Sequence, residues 1–232
     1  MLIAFDLEGT LIRGELLPEI GRRIGKPELA DITSMGMSGA MSYGESLRRR
    51  IAVIAGTGIG VASEASQSLP PINGATEAFR EFRRKGWKTA IITGGFDVSA
   101  EPFAKAHRVD YVYSNRFKVE GGRIAGVEEP LVTPERKLEV FIGLARGLGL
   151  GPEECVAVGD GANDIPMIGA AGLGIALNAK PIVRKTAELS IDTNDLRTIL
   201  PHLERFAAGH IATILPTEAQ SIYGSAWQRR YR

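Results

Sequence analysis

The chain has 232 residues, 44% hydrophobic and 24% charged, which supplies a packed core and excludes a disordered chain. Lys and Arg number 28 against 27 Asp and Glu, so no net basic field points to nucleic acid or an acidic membrane as partner. One domain takes roughly 150 residues, which leaves room for a core plus a sizeable insertion. Cys155 is the only cysteine, so no intrachain disulfide forms and a cytoplasmic protein is expected.

Leu2-Ile3-Ala4-Phe5 is an unbroken apolar run, as in a strand buried on both faces, and too short for a signal peptide. From about Arg13 to Asn73 helical spacing takes over. Leu16, Leu17, Ile20 and Ile24 share one face, and Ser42 with Glu45 forms a capping-box pattern before Leu47, Ile51 and Ile54. Pro70-Pro71 then enforces an extended return to the core. A helix follows with Ala75, Ala78, Phe79 and Phe82 on its buried face and Gly86 as its stop. Apolar runs at Thr89–Ile92, Tyr111–Tyr113, Val156–Val158 and Leu173–Ala176 predict further strands, and Phe117–Ile124 reads as a hairpin turning at Gly121-Gly122. Thr133-Pro134 opens a helix expected to bury Leu138, Phe141, Ile142 and Ala145. The low-charge stretch Met167–Leu177 carries three glycines and falls short of the roughly 18 residues of a membrane span. Alternating strands and helices predict an α/β fold with an open parallel sheet.

Polar residues follow three of these strands: Asp6, Thr93 and Asp160. In such sheets ligands bind at the carboxyl ends of the strands, so the three can converge. In Asp6-Leu7-Glu8-Gly9-Thr10 two acids lie two residues apart on one side of an extended backbone. One can accept a phosphoryl group while the other moves protons to the leaving alkoxide and from water. Gly159-Asp160-Gly161-Ala162-Asn163-Asp164 adds two carboxylates, a hard oxygen set that suits Mg²⁺. His107, His202 and His210 are scattered, which argues against zinc. Thr93-Gly94-Gly95 offers a hydroxyl and backbone N–H groups to phosphate oxygens, and a lysine such as Lys137 can add charge.

This ordered set resembles the haloacid-dehalogenase superfamily, and within it the phosphoserine phosphatases, over about Leu2–Leu200. The resemblance implies a Rossmann-like parallel sheet core at residues 1–12 and 74–200. It places a small helical cap that sets substrate specificity at 13–73, inserted after the first strand, and a C-terminal extension at 201–232. It makes Asp6 the nucleophile and Glu8 the proton-transfer group. Thr93, Gly94, Lys137 and Asn163 become the phosphate contacts, and Asp6, the Glu8 carbonyl and Asp160 the Mg²⁺ ligands, with Asp164 positioning them from outside. Glu15, Met37, Tyr43 and Arg50 fall where the family recognises substrate. An acid and a base facing inward suit the ammonium and carboxylate of L-phosphoserine.

The expected activity is Mg²⁺-dependent hydrolysis of a small phosphate ester, with L-phosphoserine first, by a monomer or homodimer. The chain departs from the family at Glu8, where the second acid is usually Asp, at Thr93 for Ser and at Tyr43 for Phe. Glu8 leaves transfer to homoserine open beside hydrolysis. Another small ester, or a non-catalytic phosphoryl-ligand sensor, are the remaining alternatives.

Overall fold

Four consecutive apolar residues, Leu2–Phe5, form β1 with no exposed surface. Successive side chains of a strand point to opposite faces, so Leu2 and Ala4 join a core with Phe141 and Met167 while Phe5 packs against Phe79 and Phe82 on the other side, ring centroids 5.5 and 5.9 Å away. The computed structural model describes the backbone of residues 1–37 and 40–214, and the side chains of all of these but 37 and 210–214.

After β1 come four helices, α1 (Leu16–Arg23), α2 (Glu28–Met37), α3 (Tyr43–Ile54) and α4 (Ile59–Gln67). Ser42 caps α3 by accepting the Glu45 N–H. The expected face of Leu16, Leu17 and Ile20 is buried, in one cluster with Leu29, Leu47 and Ile54. The chain leaves and returns at one place: Ile12 bridges to Pro71, and the Arg13 N–H donates to the Pro70 carbonyl.

Then follow α5 (Ala75–Arg84), β2 (Lys88–Phe96), α6 (Asp97–His107) and β3 (Tyr111–Asn115). The hairpin β4 (Phe117–Glu120) and β5 (Arg123–Val127) leads to α7 (Pro134–Gly147). The unit closes with β6 (Val156–Gly159), α8 (Ile165–Ala170), β7 (Leu173–Leu177), α9 (Pro181–Arg184) and β8 (Leu189–Ile191). Six strands pair in parallel in the order β3-β2-β1-β6-β7-β8, which puts the ends of β1, β2 and β6 side by side. Pro102 inside α6 has no N–H for the Val98 carbonyl four residues back. Ser66 of α4 takes that carbonyl through its hydroxyl at 3.0 Å, which pins the inserted helices to the sheet side.

Three local expectations are corrected. Helix α7 buries Lys137, Val140, Phe141 and Ala145, leaving Leu138 and Ile142 half-buried, because Lys137 turns inward toward acids. Thr93 does not follow its strand: β2 continues to Phe96, and Thr93–Gly95 form a bulge, since the register runs Ile92↔Tyr113 and then Phe96↔Asn115. A sixth strand, β8, extends the sheet.

Residues Met1–Thr198 form one compact unit, and helix α10 (Leu200–Ile214) belongs to a second. The rest of the expected C-terminal extension, 215–232, lies outside the described residues. No helix among the described residues is long and apolar enough to cross a membrane.

Candidate active site

Asp6 sits where β1 stops pairing, its N–H donating to the Val158 carbonyl of β6 at 2.9 Å. Its carboxylate meets Lys137 from α7, which donates to Asp6 Oδ1 at 2.5 Å and to Asp164 Oδ1 at 2.6 Å. Lys137 is wholly buried. Burial alone would lower its pKa, but Asp164 and Asp6 overcome that and raise it, so the site holds a fixed ammonium.

Asp160, at the end of β6, accepts the Thr10 hydroxyl at 2.9 Å and is nearly inaccessible. Burial, and then the charges of Asp6 and Asp164, push its carboxyl well above the usual range. Oxygens of Asp6, Asp160 and Asp164 lie within 4.8 Å of one another. Asp164 is already engaged, by Lys137 on Oδ1 and on Oδ2 by the N–H groups of Asp160 and Gly161 at 3.1 and 3.0 Å. Three buried acids, Asp6, Asp160 and Asp164, thus share one ammonium, which bonds Asp6 and Asp164 and does not balance all three. Two hard carboxylates that repel each other in a buried site fit a divalent metal ion. Gly9, at φ +79°, passes so close that an added Cβ would lie 2.5 Å from Asp160 Oδ2, so the turn fits only glycine.

Glu8 folds over the same centre. Its Oε2 accepts the Leu16 N–H at 3.3 Å, while its buried Oε1 has no hydrogen-bond partner. Burial raises its pKa, and Glu15 stands close enough to share a proton with it. Burial and then the Glu8 charge push Glu15 well above the usual carboxylate range. On the facing side the Gly95 N–H donates to the Thr93 hydroxyl at 2.9 Å.

Most of the residues selected from sequence share one small cavity of about 50 Å³: Asp6, Glu8, Glu15, Tyr43, Arg50, Thr93, Gly94 and Asn163. Lys137, Asp160 and Asp164 stand outside that lining, tied to it through Asp6. Met37 ends α2 beside the cavity-lining Gly36, and its side chain lies outside the described residues. Three contributors were not selected: Thr10, which holds Asp160; Thr33, which lines the cavity from α2; and Asn115, which donates to the Gly94 carbonyl at 2.8 Å. Thr33 lies four residues after buried Leu29, so helical spacing could have found it. Asn115 closes β3 just as Asp6 closes β1, and the same strand-end rule applies to it.

A Cβ on Gly95 would stand 2.7 Å from Glu8 Oε1 and 3.2 Å from the Thr93 hydroxyl. Gly95→Ala is therefore expected to displace Glu8 and lower kcat/KM about 10- to 100-fold, since a shift near 1 Å at a reacting group costs about that much. Steady-state kinetics of the variant check this, and wild-type turnover would show that Glu8 has slack.

Residues 1–172 match the family of haloacid dehalogenase-like hydrolases. Phosphoserine phosphatase SerB2 of Mycobacterium tuberculosis is 39% identical over 201 residues, 86% of this chain but 49% of the relative, so the chain spans about half of that protein. The phosphoserine phosphatase of Methanocaldococcus jannaschii is 36% identical over 205 residues, covering 88% of this chain and 97% of the relative. A solved structure of a phospho-aspartyl intermediate analogue of phosphoserine phosphatase superposes with a TM-score of 0.84 at 36% identity, over 87% of this chain and 97% of that one.

Proposed function

The chain belongs to the haloacid dehalogenase-like hydrolases, and from that premise we propose that it is a Mg²⁺-dependent phosphoserine phosphatase working through an aspartyl phosphate on Asp6. One observation carries the reading. Asp6 keeps one oxygen on the buried Lys137 ammonium, so its other oxygen is the one left to attack, beside a second carboxylate suited to a metal.

Asp6, Asp160 and the Glu8 carbonyl would hold the ion. When bound, Mg²⁺ supplies Lewis-acid neutralisation of the phosphoryl oxygens. Thr93, the Gly94-Gly95 backbone and Asn163 face the same space and would orient the phosphoryl group. In the first half, Asp6 Oδ2 bonds to phosphorus and the ester bond breaks. The electron pair leaves on the serine oxygen, which takes the proton held on Glu8. In the second half Glu8 takes a proton from water as that water attacks phosphorus, the bond to Asp6 breaks and phosphate leaves. Burial, which raises the Glu8 pKa, and the unpartnered Oε1 beside the site support a proton-transfer role for this carboxyl.

The inserted helices, residues 13–73, act as a cap over the site, with Glu15 and Arg50 for the ammonium and carboxylate of the substrate. A cavity of about 50 Å³ holds on the order of one water. The ester therefore enters only when the cap lifts, and the cap's return excludes bulk water. A cytoplasmic setting fits the single buried thiol, Cys155.

The test measures phosphate release from a panel of small esters with Mg²⁺ or EDTA, each with and without homoserine. Release from L-phosphoserine is expected to exceed the others at least tenfold and to vanish in EDTA. Preference for another ester would remove the cap assignment. Phosphohomoserine formation would replace hydrolysis by transfer, and inactivity throughout would leave a phosphoryl-ligand sensor.

A further inference from the structure

The bulge that carries Thr93, Gly94 and Gly95 has lost its ladder partners: between the paired ends, these three residues of β2 stand opposite Ser114 alone of β3. A carbonyl freed this way needs a donor from elsewhere. Two reach the Gly94 carbonyl: the Tyr43 hydroxyl at 2.8 Å and Asn115 Nδ2 at 2.8 Å. Asn115 Nδ2 also donates to the Tyr43 hydroxyl at 3.1 Å, and Asn115 Oδ1 accepts the Val132 N–H at 2.8 Å, which fixes the amide's orientation. Asn115 is 2% exposed, so these bonds form out of water, where each is stronger and each loss costs more.

The three partners of this amide belong to separate parts of the site. Gly94 lies in the phosphate-facing bulge. Val132 stands just before Thr133, which caps the helix bearing Lys137. Tyr43 opens α3 in the inserted helices, and a Cβ on Gly94 would stand 2.5 Å from its hydroxyl, so the ring sits flush on the bulge. Burial pushes the Tyr43 hydroxyl up to about 12, so it remains a donor at any working pH.

We propose that Asn115 is a positioning residue for the reaction, holding the Thr93–Gly95 bulge in its phosphate-facing shape and, through the Tyr43 hydroxyl, making that shape depend on α3 being seated. The coupling rests on the phosphatase reading only for its catalytic consequence; the hydrogen-bonded link exists in the ligand-free protein. The residue that makes it possible is the tyrosine itself, since a phenylalanine ring could occupy the same place without joining α3 to Gly94.

Two measurements test the link. Hydrogen exchange on ligand-free full-length protein should show Tyr43–Ile54 and the Gly94-Gly95 amides exchanging about 3- to 10-fold faster in Tyr43→Phe. In kinetics, Tyr43→Phe should act mainly on KM, raising it about 3- to 10-fold, whereas Asn115→Ala should act mainly on kcat, lowering it at least 10-fold. Asn115→Asp keeps the acceptor for Val132 and loses the donor for Gly94. It should be as impaired as Asn115→Ala, while recovery to wild-type kcat would reduce Asn115 to a loop anchor and overturn the proposal. The double variant should combine the raised KM of Tyr43→Phe with the lowered kcat of Asn115→Ala, because each side chain donates separately to the Gly94 carbonyl. Wild-type exchange in Tyr43→Phe would remove the link whatever the substrate, and that variant decides even if Asn115→Ala fails to fold. Faster exchange in a protein that hydrolyses no phosphate ester would leave the link standing and defeat the phosphatase reading.

Discussion

Asp6→Asn is expected to lower kcat at least ~10³-fold while leaving the fold intact, a separation that follows from what each oxygen of Asp6 does. The amide oxygen of asparagine can still accept from Lys137, so the 2.5 Å contact at Oδ1 keeps its geometry. The other atom becomes an NH₂ and cannot bond to phosphorus. Removing the charge also relieves Asp160, whose carboxyl is raised by burial and next by Asp6. The melting temperature without metal should therefore stay level or rise by a few degrees. Thermal melts beside single-turnover assays for phosphorylated protein check both parts. Retained turnover would assign the nucleophile elsewhere, and a large drop in melting temperature would mean that Asp6 holds the structure as well as the reaction.

Lys137→Met is expected to damage both stability and activity. Methionine matches the length of the lysine stem, so packing is nearly conserved while the charge is lost. Asp6 and Asp164 would then face each other in a wholly buried site with no cation between them. Breaking a buried ion pair by removing one partner costs about 3–5 kcal/mol, which for a chain of this size lowers the melting temperature by roughly 10 °C. Turnover should fall at least ~10³-fold, because the developing phosphoryl charge loses its fixed ammonium. Added Mg²⁺ should recover part of the stability by neutralising the acids, and none of the lysine's contact with Asp6. Calorimetry with and without Mg²⁺, alongside kcat, checks this; a variant as stable as wild type would show that the acids take up protons at no cost.

Much of this site was legible in the sequence because each piece is a local signal. An apolar run ending in Asp6 names a strand and its ligand-facing end at once. Ser42 and Thr133 each accept the N–H three residues on, as their spacing before a helix predicts. What stayed hidden depends on partners far along the chain. Thr93 reads as the residue after a strand, and only the pairing of β2 with β3 turns it into part of a bulge. The helix after Thr133 reads as burying Leu138 and Ile142, because periodicity counts apolar residues and Lys137 is not one; its burial depends on Asp6 and Asp164, neither a near neighbour in sequence. Strand β8 is three residues with a serine at its centre, too little for alternation to register. Asn115 becomes significant once the Gly94 carbonyl is known to lack a ladder partner.

The central place of β1 has a consequence for how the molecule comes into being. Leu2 pairs with Lys88, and Ile3 with Val156, so the first strand made waits for one neighbour until residue 88 and for the other until residue 156. Contacts this distant in sequence form slowly, since the ends of a long loop must meet before any pairing rewards them. Throughout synthesis of the intervening chain, the most apolar segment of the sheet has no permanent partner and is open to association with other chains. Helices α1 to α4, by contrast, rest on short-range contacts and can form early. Asp6 and Asp160 meet only when β6 docks, so catalytic competence arrives with the completion of the core, and a chain released before Val156 has neither a closed sheet nor the acids Asp160 and Asp164.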